Sequence, residues 1–394
     1  MKPDMPEAPF SAVFPVQNAD DVRRLESVPL DQRLRVRSTY EVFANAAAAF
    51  GERAALSFLH TSEPDGPVTT WSFAELLRGI HRMANVLHGL GVGPGDTVAV
   101  LLPGCLTYHL ALWGGAAAGI VQPLNPLLAD DKLVALLNAG QARVLIAWGA
   151  DDDSGYWRKA QHLQAQVRSL RHVLRVRPLD EPSAPASLAP GVIDCDAALA
   201  AAPHDRLLSA RVFAPEDICA YFHTGGTTGA PKLARHSHGA QVFMAWSYVQ
   251  MQGLAPGDAV INGFPLFHVA GVLPGTLAAL SAGVHVIIPT LQLFRNRSVI
   301  RNYWKLVARH RPTALAGVST VLTALTEIPL DGADISSLRP SSTSTRQPSR
   351  GNSASCDAAR RNRHRPAGSN HAPCTADRYG YRQRHCTGVF ARHF

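Results

Sequence analysis

No C-x-x-C pair occurs among the six cysteines, which stand at Cys105, Cys195, Cys219, Cys356, Cys374 and Cys386. That spacing excludes an evident zinc ribbon and a small disulfide-stapled scaffold, and it fits a chain of the reducing cytoplasm. The first residues, MKPDMPEAPFSAVFPVQ, interrupt any apolar run with acids and prolines, so no export signal is expected. Uninterrupted membrane-length apolar runs are absent too. Pro123 and Pro126 break Leu110 to Leu128, and Gly271 to Pro289 reads as a buried helix, a Ser-Ala-Gly stop and a strand. No transmembrane segment is expected.

The segment from Pro340 to Phe394 has neither Lys nor Glu, and neither Leu, Ile nor Met. It does have ten Arg and two Asp, a surplus equal to the whole formal net charge of +8, so the chain up to Arg339 is neutral. A basic balance confined to one stretch says nothing about the surface of the folded part. With Val389 as its only aliphatic residue beyond alanine, residues 340–394 are expected to be a disordered Arg/Ser/Pro-rich tail. Binding of nucleic acid or an anionic surface through that tail is the weakest functional reading. Its arginines are interleaved with few aromatics and lie on no helical face, so no specific nucleic acid is expected.

What is present is alternation of helix and strand. Residues 1–37 lack periodicity and are expected to form an extended arm. Ser38 with Glu41, and Ser72 with Glu75, match the capping-box pattern at helix starts, and the second opens a run with Phe73, Leu76, Leu77, Ile80, Val86 and Leu87 broadly on one face. TVAVLLP, ARVLIAW and HVLRVR read as strands, as do DICAYF, DAVINGF, VHVIIP and TALAGV further on. Helices are expected between them, including Gln241 to Met251, Leu273 to Leu280, Val299 to His310 and Thr320 to Glu327. This order predicts an α/β fold in layers, with helices on both faces of a largely parallel sheet.

The most informative stretch is AYFHTGGTTGAPKLARHSHG. A strand runs into Thr224, Gly225, Gly226, Thr227, Thr228, Gly229, Ala230, Pro231 and Lys232. Glycines let backbone N–H groups converge on phosphate oxygens, threonine hydroxyls add donors, and Lys232 supplies a compact positive charge. The spacing is not that of the common nucleotide P-loop. Glycine and threonine also make ordinary strand-to-helix turns, but Pro231-Lys232 following directly favours phosphate binding.

This loop resembles the signature of the AMP-forming adenylating enzymes, the superfamily of acyl-CoA synthetases, peptide-synthetase adenylation domains and luciferases. TWSFAEL, GVGPGDTVAVLLP and LWGGAAAGIVQPLNPLL stand in the same order as in that superfamily. FPLFHVAG resembles its next motif, and the pair Phe267-His268 favours acyl-CoA synthetases. In that resemblance Phe267 and His268 gate or orient the acyl carboxylate; on residue type alone, a histidine packed at a strand end is the better reading of His268. Gly317 and Val318, in TALAGVSTVLTAL, correspond to a segment bordering the acyl pocket, although Ser319 stands where the family usually has proline.

The resemblance implies the large N-terminal domain of adenylate-forming enzymes over residues 38–339, acting as an AMP-binding domain. It implies ATP, Mg2+ and CoA as cofactors and co-substrates, with a small carboxylic acid, fatty acids foremost, as the substrate. The loop Thr224 to Lys232 would hold the β and γ phosphates, with Lys232 and His268 as the residues carrying the chemistry.

The family's adenine-pocket segment, its Tyr-Gly-x-Thr-Glu motif and its small C-terminal domain are not found. DGADISSLR is the usual approach to the first of these, and at Pro340 the text changes character. The expectation is therefore a truncated domain followed by an out-of-frame tail. Its activity would be impaired, and a non-catalytic nucleotide-binding remnant is the alternative.

Overall fold

The computed structural model describes residues 9–150, 152–181, 183, 187–224 and 232–339. Of the expectations above, residues Gly225 to Pro231 of the loop and the segment from Pro340 onward lie outside the described residues.

Eleven strands form two sheets among the described residues. In chain order they are β1 (Ala54–Leu59), β2 (Val68–Ser72), β3 (Thr97–Leu101), β4 (Ile120–Pro123), β5 (Ala142–Trp148), β6 (His172–Val176), β7 (Val192–Asp194), β8 (Ile218–His223), β9 (Leu233–Ser237), β10 (Ala259–Ile261) and β11 (His285–Pro289). The larger sheet has the order β7-β6-β5-β3-β4-β8-β9, and the smaller has the order β10-β11-β1-β2. Every pairing in the larger sheet is parallel except the last, where β9 turns back antiparallel on β8.

The expected two-sided burial is visible residue by residue. Val98, Val100, Val144 and Ile146 enter one apolar core, while Ala99, Leu101, Leu145 and Ala147, pointing the other way, enter a second. Successive strand side chains face opposite sides, so β3 and β5 can be apolar throughout only because both sides are covered. The helices Asp130–Gly140 and Tyr156–Gln166 cover the second side with Leu133, Leu136, Leu137, Ala160 and Leu163. On the first side lies the helix Leu106–Ala118, buried at every position but Thr107, and against it the helix Phe73–Gly89. A helix apolar all round belongs inside a protein, and this one packs between the two sheets, touching β1 as well as β3, β4 and β8. A third cluster, with Tyr303, Leu306 and Val307 from the helix Tyr303–His310, covers the outer face of the smaller sheet around Leu59, Ile261 and Ile287.

Helix starts follow their sequence signals. Ser72 Oγ accepts from Glu75 N–H at 3.2 Å while Glu75 Oε2 accepts from Ser72 N–H at 2.7 Å, a complete capping box. At the other site Ser38 Oγ accepts from Glu41 N–H, but the Glu41 carboxylate takes the N–H of Arg37 instead.

Four expectations differ from the structure. Residues before Ser38 are not merely extended. They include the helix Ala19–Glu26, started by an Asn18–Asp21 capping box, and Phe10, 2% exposed, sits in the main core. The Gln250 amide ties Ser11 and Val13 to the body.

TALAGV is no strand: Ala314 makes an isolated parallel bridge to Val260 and the chain leaves the sheet. Its neighbour β10 has only three residues, which gives little edge to extend. The helix expected over Val299 to His310 is two pieces, Arg297–Arg301 and Tyr303–His310, parted at Asn302.

The helix expected over Leu273 to Leu280 is π-helical from Leu273 to Ala278. Buried Asn262 donates to the carbonyls of Gly271 and Gly275, and Pro274 brings no N–H. Both diversions favour the wider turn.

No helix among the described residues is long and apolar enough to cross a membrane.

Candidate functional site

Strand β8 carries the chain from the middle of the larger sheet toward the loop. Its register with β9 pairs Phe222 with Ala234 and His223 with Leu233. One residue beyond, Thr224 N–H donates to the Lys232 carbonyl at 3.0 Å. The two ends of the predicted phosphate loop are thus clamped side by side at the tip of a hairpin, with Thr224 and Lys232 both exposed. β9 was absent from the sequence reading, because LARHS carries Arg235, His236 and Ser237 with no clean alternation.

The Phe-His segment meets the loop end of this hairpin. The ring of Phe267 stacks on that of His223 with centroids 6.3 Å apart and planes 24° apart. His268 is exposed and starts the short helix Val269–Val272, its Nδ1 accepting from Ala270 N–H at 3.2 Å. With Nδ1 so engaged, Nε2 is the ring nitrogen left to bond elsewhere. His223 was not among the residues picked from sequence. The available signal was an imidazole standing directly before Thr224 at the end of an otherwise apolar and aromatic strand.

Burial lowers the His223 pKa from its ordinary value, and the nearby His268 lowers it further. Its Nε2 is shut off from solvent and has no hydrogen-bond partner among the described residues.

The third segment lines an apolar cavity together with Phe264 and Ala270, which flank the Phe-His pair. A space of about 110 Å3 is lined by Tyr248, Phe264, Ala270, Pro274, Ala314 and Ala316, among others. Small residues leave the room, and the aromatic rings bound it. At its edge the Arg339 guanidinium grips the 4%-exposed Asp258 carboxylate through both oxygens, and Arg339 N–H bonds the Thr313 carbonyl at 2.9 Å.

The predicted pair Gly317 and Val318 stands just past this lining. Gly317 is buried, and a Cβ there would meet Val321 and Leu322 at 3.2 and 3.3 Å, so its smallness serves the packing of the helix Ser319–Thr326. Val318 is 42% exposed. The lining contributed by this segment is Thr313 to Ala316, ahead of the predicted pair.

A glycine- and threonine-rich segment clamped at the end of the β8–β9 hairpin, with the Phe-His motif stacked on the strand residue before it, defines a class: a layered α/β protein with a candidate binding site at the edge of its larger sheet.

Comparison with known proteins places the chain within that class. Residues 43–361 match the family model "AMP-binding enzyme", and the chain belongs to that family. The matched span continues past Arg339. The chain is 30% identical over 343 residues to the marinolic acid–CoA ligase of a Pseudoalteromonas species, covering 84% of this chain and 51% of that protein. It is 28% identical over 305 residues to a long-chain-fatty-acid–CoA ligase of Thermus thermophilus, covering 76% of this chain and 50% of that protein. The chain therefore spans about half the length of the curated relatives it matches.

Among solved structures, it shares the fold of the N-terminal domain of FACL13 from Mycobacterium tuberculosis, with TM-score 0.64, 19% identity and coverage of 77% of this chain and 69% of that one. It likewise shares the fold of the anthranilate CoA ligase AuaEII solved with anthranoyl-AMP, with TM-score 0.66, 21% identity and coverage of 80% and 55%.

Proposed function

We propose that this chain carries the adenylation half of an acyl-CoA synthetase, which activates a carboxylic acid with ATP. One carboxylate oxygen forms a bond to the α-phosphorus, the bond to the bridging oxygen breaks, and pyrophosphate leaves with the electron pair. In the second step the CoA sulfur attacks the acyl carbonyl, and AMP departs. The observation that carries this reading is the stacking of Phe267 on His223, one residue before the Thr224–Lys232 clamp, while Phe264 and Ala270, which flank the Phe-His pair, line one apolar cavity with Ala314 to Ala316.

Roles follow from chemistry. Threonine hydroxyls, glycine N–H groups and Lys232, in the loop from Thr224 through Gly225, Gly226, Thr227, Thr228 and Gly229, would meet the phosphate charge that builds as pyrophosphate departs. Phe267 and His268 would set the angle of the carboxylate, with the His268 Nε2–H as donor, so that the reacting atoms meet in line. The cavity would take the apolar body of the acid, which favours a fatty or similarly apolar acid. Gly317 and Val318 would support its far side.

Mg2+ would accompany the nucleotide. No group of three or more His, Cys, Asp or Glu side chains placed to hold a metal occurs among the described residues, so no step is assigned to it. Its function would be to neutralise the phosphates. A cytoplasmic site of action fits an ATP- and CoA-dependent reaction.

Acid-dependent exchange of labelled pyrophosphate into ATP tests the reading across a panel of aliphatic and aromatic carboxylic acids. Exchange that disappears in Lys232→Ala is the expected result. ATP binding without exchange for any acid would favour a nucleotide-binding remnant instead. The composition break at Pro340 supports the companion proposal of an out-of-frame tail, and translating the gene's other two frames beyond codon 340 checks it. Absence of a Tyr-Gly-x-Thr-Glu continuation in both would sink that proposal.

A further inference from the structure

We infer that His223 is a second hydrogen-bond donor to the substrate carboxylate, so that the acid is held between two imidazoles, those of His223 and His268. The inference rests on the acid-activating reading above and adds to it a residue that lies outside the loop and outside the Phe-His pair.

Three observations carry it. His223 Nε2 is sealed from water and has no partner among the described residues, and a buried polar nitrogen in that condition costs free energy until something bonds to it. The ring cannot easily turn away to find solvent: its backbone is held in register with Leu233, the next residue is clamped to Lys232, and its face lies against Phe267. Finally, Phe267 is followed at once by His268, whose Nδ1 is already engaged by Ala270, leaving its Nε2 to bond elsewhere. The backbone thus brings one held imidazole and one half-committed imidazole to the same aromatic ring.

The charge state suits an anion that must still react. Burial and the neighbouring imidazole disfavour protonation of His223. A neutral ring donating one N–H orients a carboxylate without neutralising it as a fixed cation would, so the attacking oxygen keeps its nucleophilicity. The aromatic partner then has a purpose beyond packing, since Phe267 holds the His223 ring plane. Strand parity also separates His223 from Phe222, which faces the other way onto His236.

The test separates hydrogen bonding from stacking. His223→Phe keeps an aromatic face for Phe267 and loses the donor, whereas His223→Gln loses the ring and keeps an amide donor near the position of Nε2. Calorimetric Kd values for octanoate, benzoate and cyclohexanecarboxylate would be measured on the full chain saturated with α,β-methylene-ATP, which cannot release pyrophosphate. Kd for the nucleotide analogue alone and the thermal melt serve as controls for the loop and the fold.

His223→Phe is expected to weaken the best acid about tenfold or more, with His223→Gln staying within about threefold of the parent. Equal affinity in His223→Phe and the parent overturns the inference while leaving the acid-site reading intact. Equal loss in both variants, with unchanged melts, overturns it as well. Nucleotide binding with no acid bound by the parent overturns the acid site and this inference together, and failure to bind the nucleotide analogue overturns the whole functional reading.

Discussion

The centre of the larger sheet and its β8–β9 edge are built on opposite terms. Every residue of β3 is buried, as is all of β5 except Arg143, and their side chains feed two separate cores. In β9 no residue is fully buried, and β8 ends in a histidine whose buried nitrogen lacks a partner. The centre is satisfied within itself, so its changes should register as stability. Among the described residues the edge keeps a buried ring nitrogen without a partner, beside the Thr224–Lys232 clamp, so its changes should register as binding.

The sharpest way to break this contrast is a truncation at the centre. Leu145, fully buried in β5, contributes contacts on the second core, and Leu145→Ala should cost about 2–5 kcal/mol in urea unfolding. Affinity for α,β-methylene-ATP should remain within about twofold where the variant is folded. At the edge the pattern should invert. Lys232→Ala should leave the unfolding midpoint nearly unchanged and weaken the nucleotide analogue by about 1.5–3 kcal/mol, read by calorimetry.

A buried histidine sharpens the comparison through pH. His109, in the helix between the sheets, is 0% exposed with both ring nitrogens unpartnered among the described residues, and burial pushes its pKa down to about 3. His238 is pushed down to about 4, also chiefly by burial. The unfolded chain takes up these protons near pH 6.5 and the folded chain only well below that. The stabilisation from keeping them neutral is therefore fully present above about pH 6.5 and is lost as pH falls toward 4. For His109 the loss between pH 7 and pH 5 is on the order of 1–2 kcal/mol, and His109→Phe should flatten that portion of the stability profile.

The smallest expected effect belongs to the capping box. Ser72→Ala removes one of two reciprocal bonds at the start of the helix Phe73–Gly89 and should cost about 1 kcal/mol, with no change in nucleotide affinity.

The same division decided what could be read from the sequence. β3, β5 and β11 announced themselves because a strand buried on both sides must be mostly apolar along its length, and the Ser72–Glu75 signal is local to four residues. The elements that escaped depend on distant partners. The π-helical turn at Leu273–Ala278 follows from Asn262 reaching carbonyls nine and thirteen residues away, which no periodicity encodes. TALAGV has a strand's composition but only the three-residue edge of β10 beside it.

At the site, Phe267 and His268 were legible as a motif, and the structure adds that Phe267 stacks on His223 at the loop end of the hairpin. His223 was not legible, because its meaning comes from an unfilled nitrogen and a stacked ring rather than from its place in a pattern. Gly317 and Val318 stand just past the cavity lining. The apolar segment was recognised, but which of its residues line the cavity depends on where the helix Ser319–Thr326 begins.

The central claim is that the edge site joins a carboxylate to the α-phosphate of ATP, and isotope transfer tests it most directly. The full chain is incubated with ATP, a carboxylic acid labelled with 18O in both carboxyl oxygens, and hydroxylamine, which attacks the carbonyl of the acyl adenylate and releases AMP, and that AMP is analysed by mass spectrometry. Attack by the carboxylate predicts AMP carrying one 18O, with the yield falling in Lys232→Ala. AMP free of label, which is what attack of water on ATP would give, contradicts the account, as does an acid-independent yield.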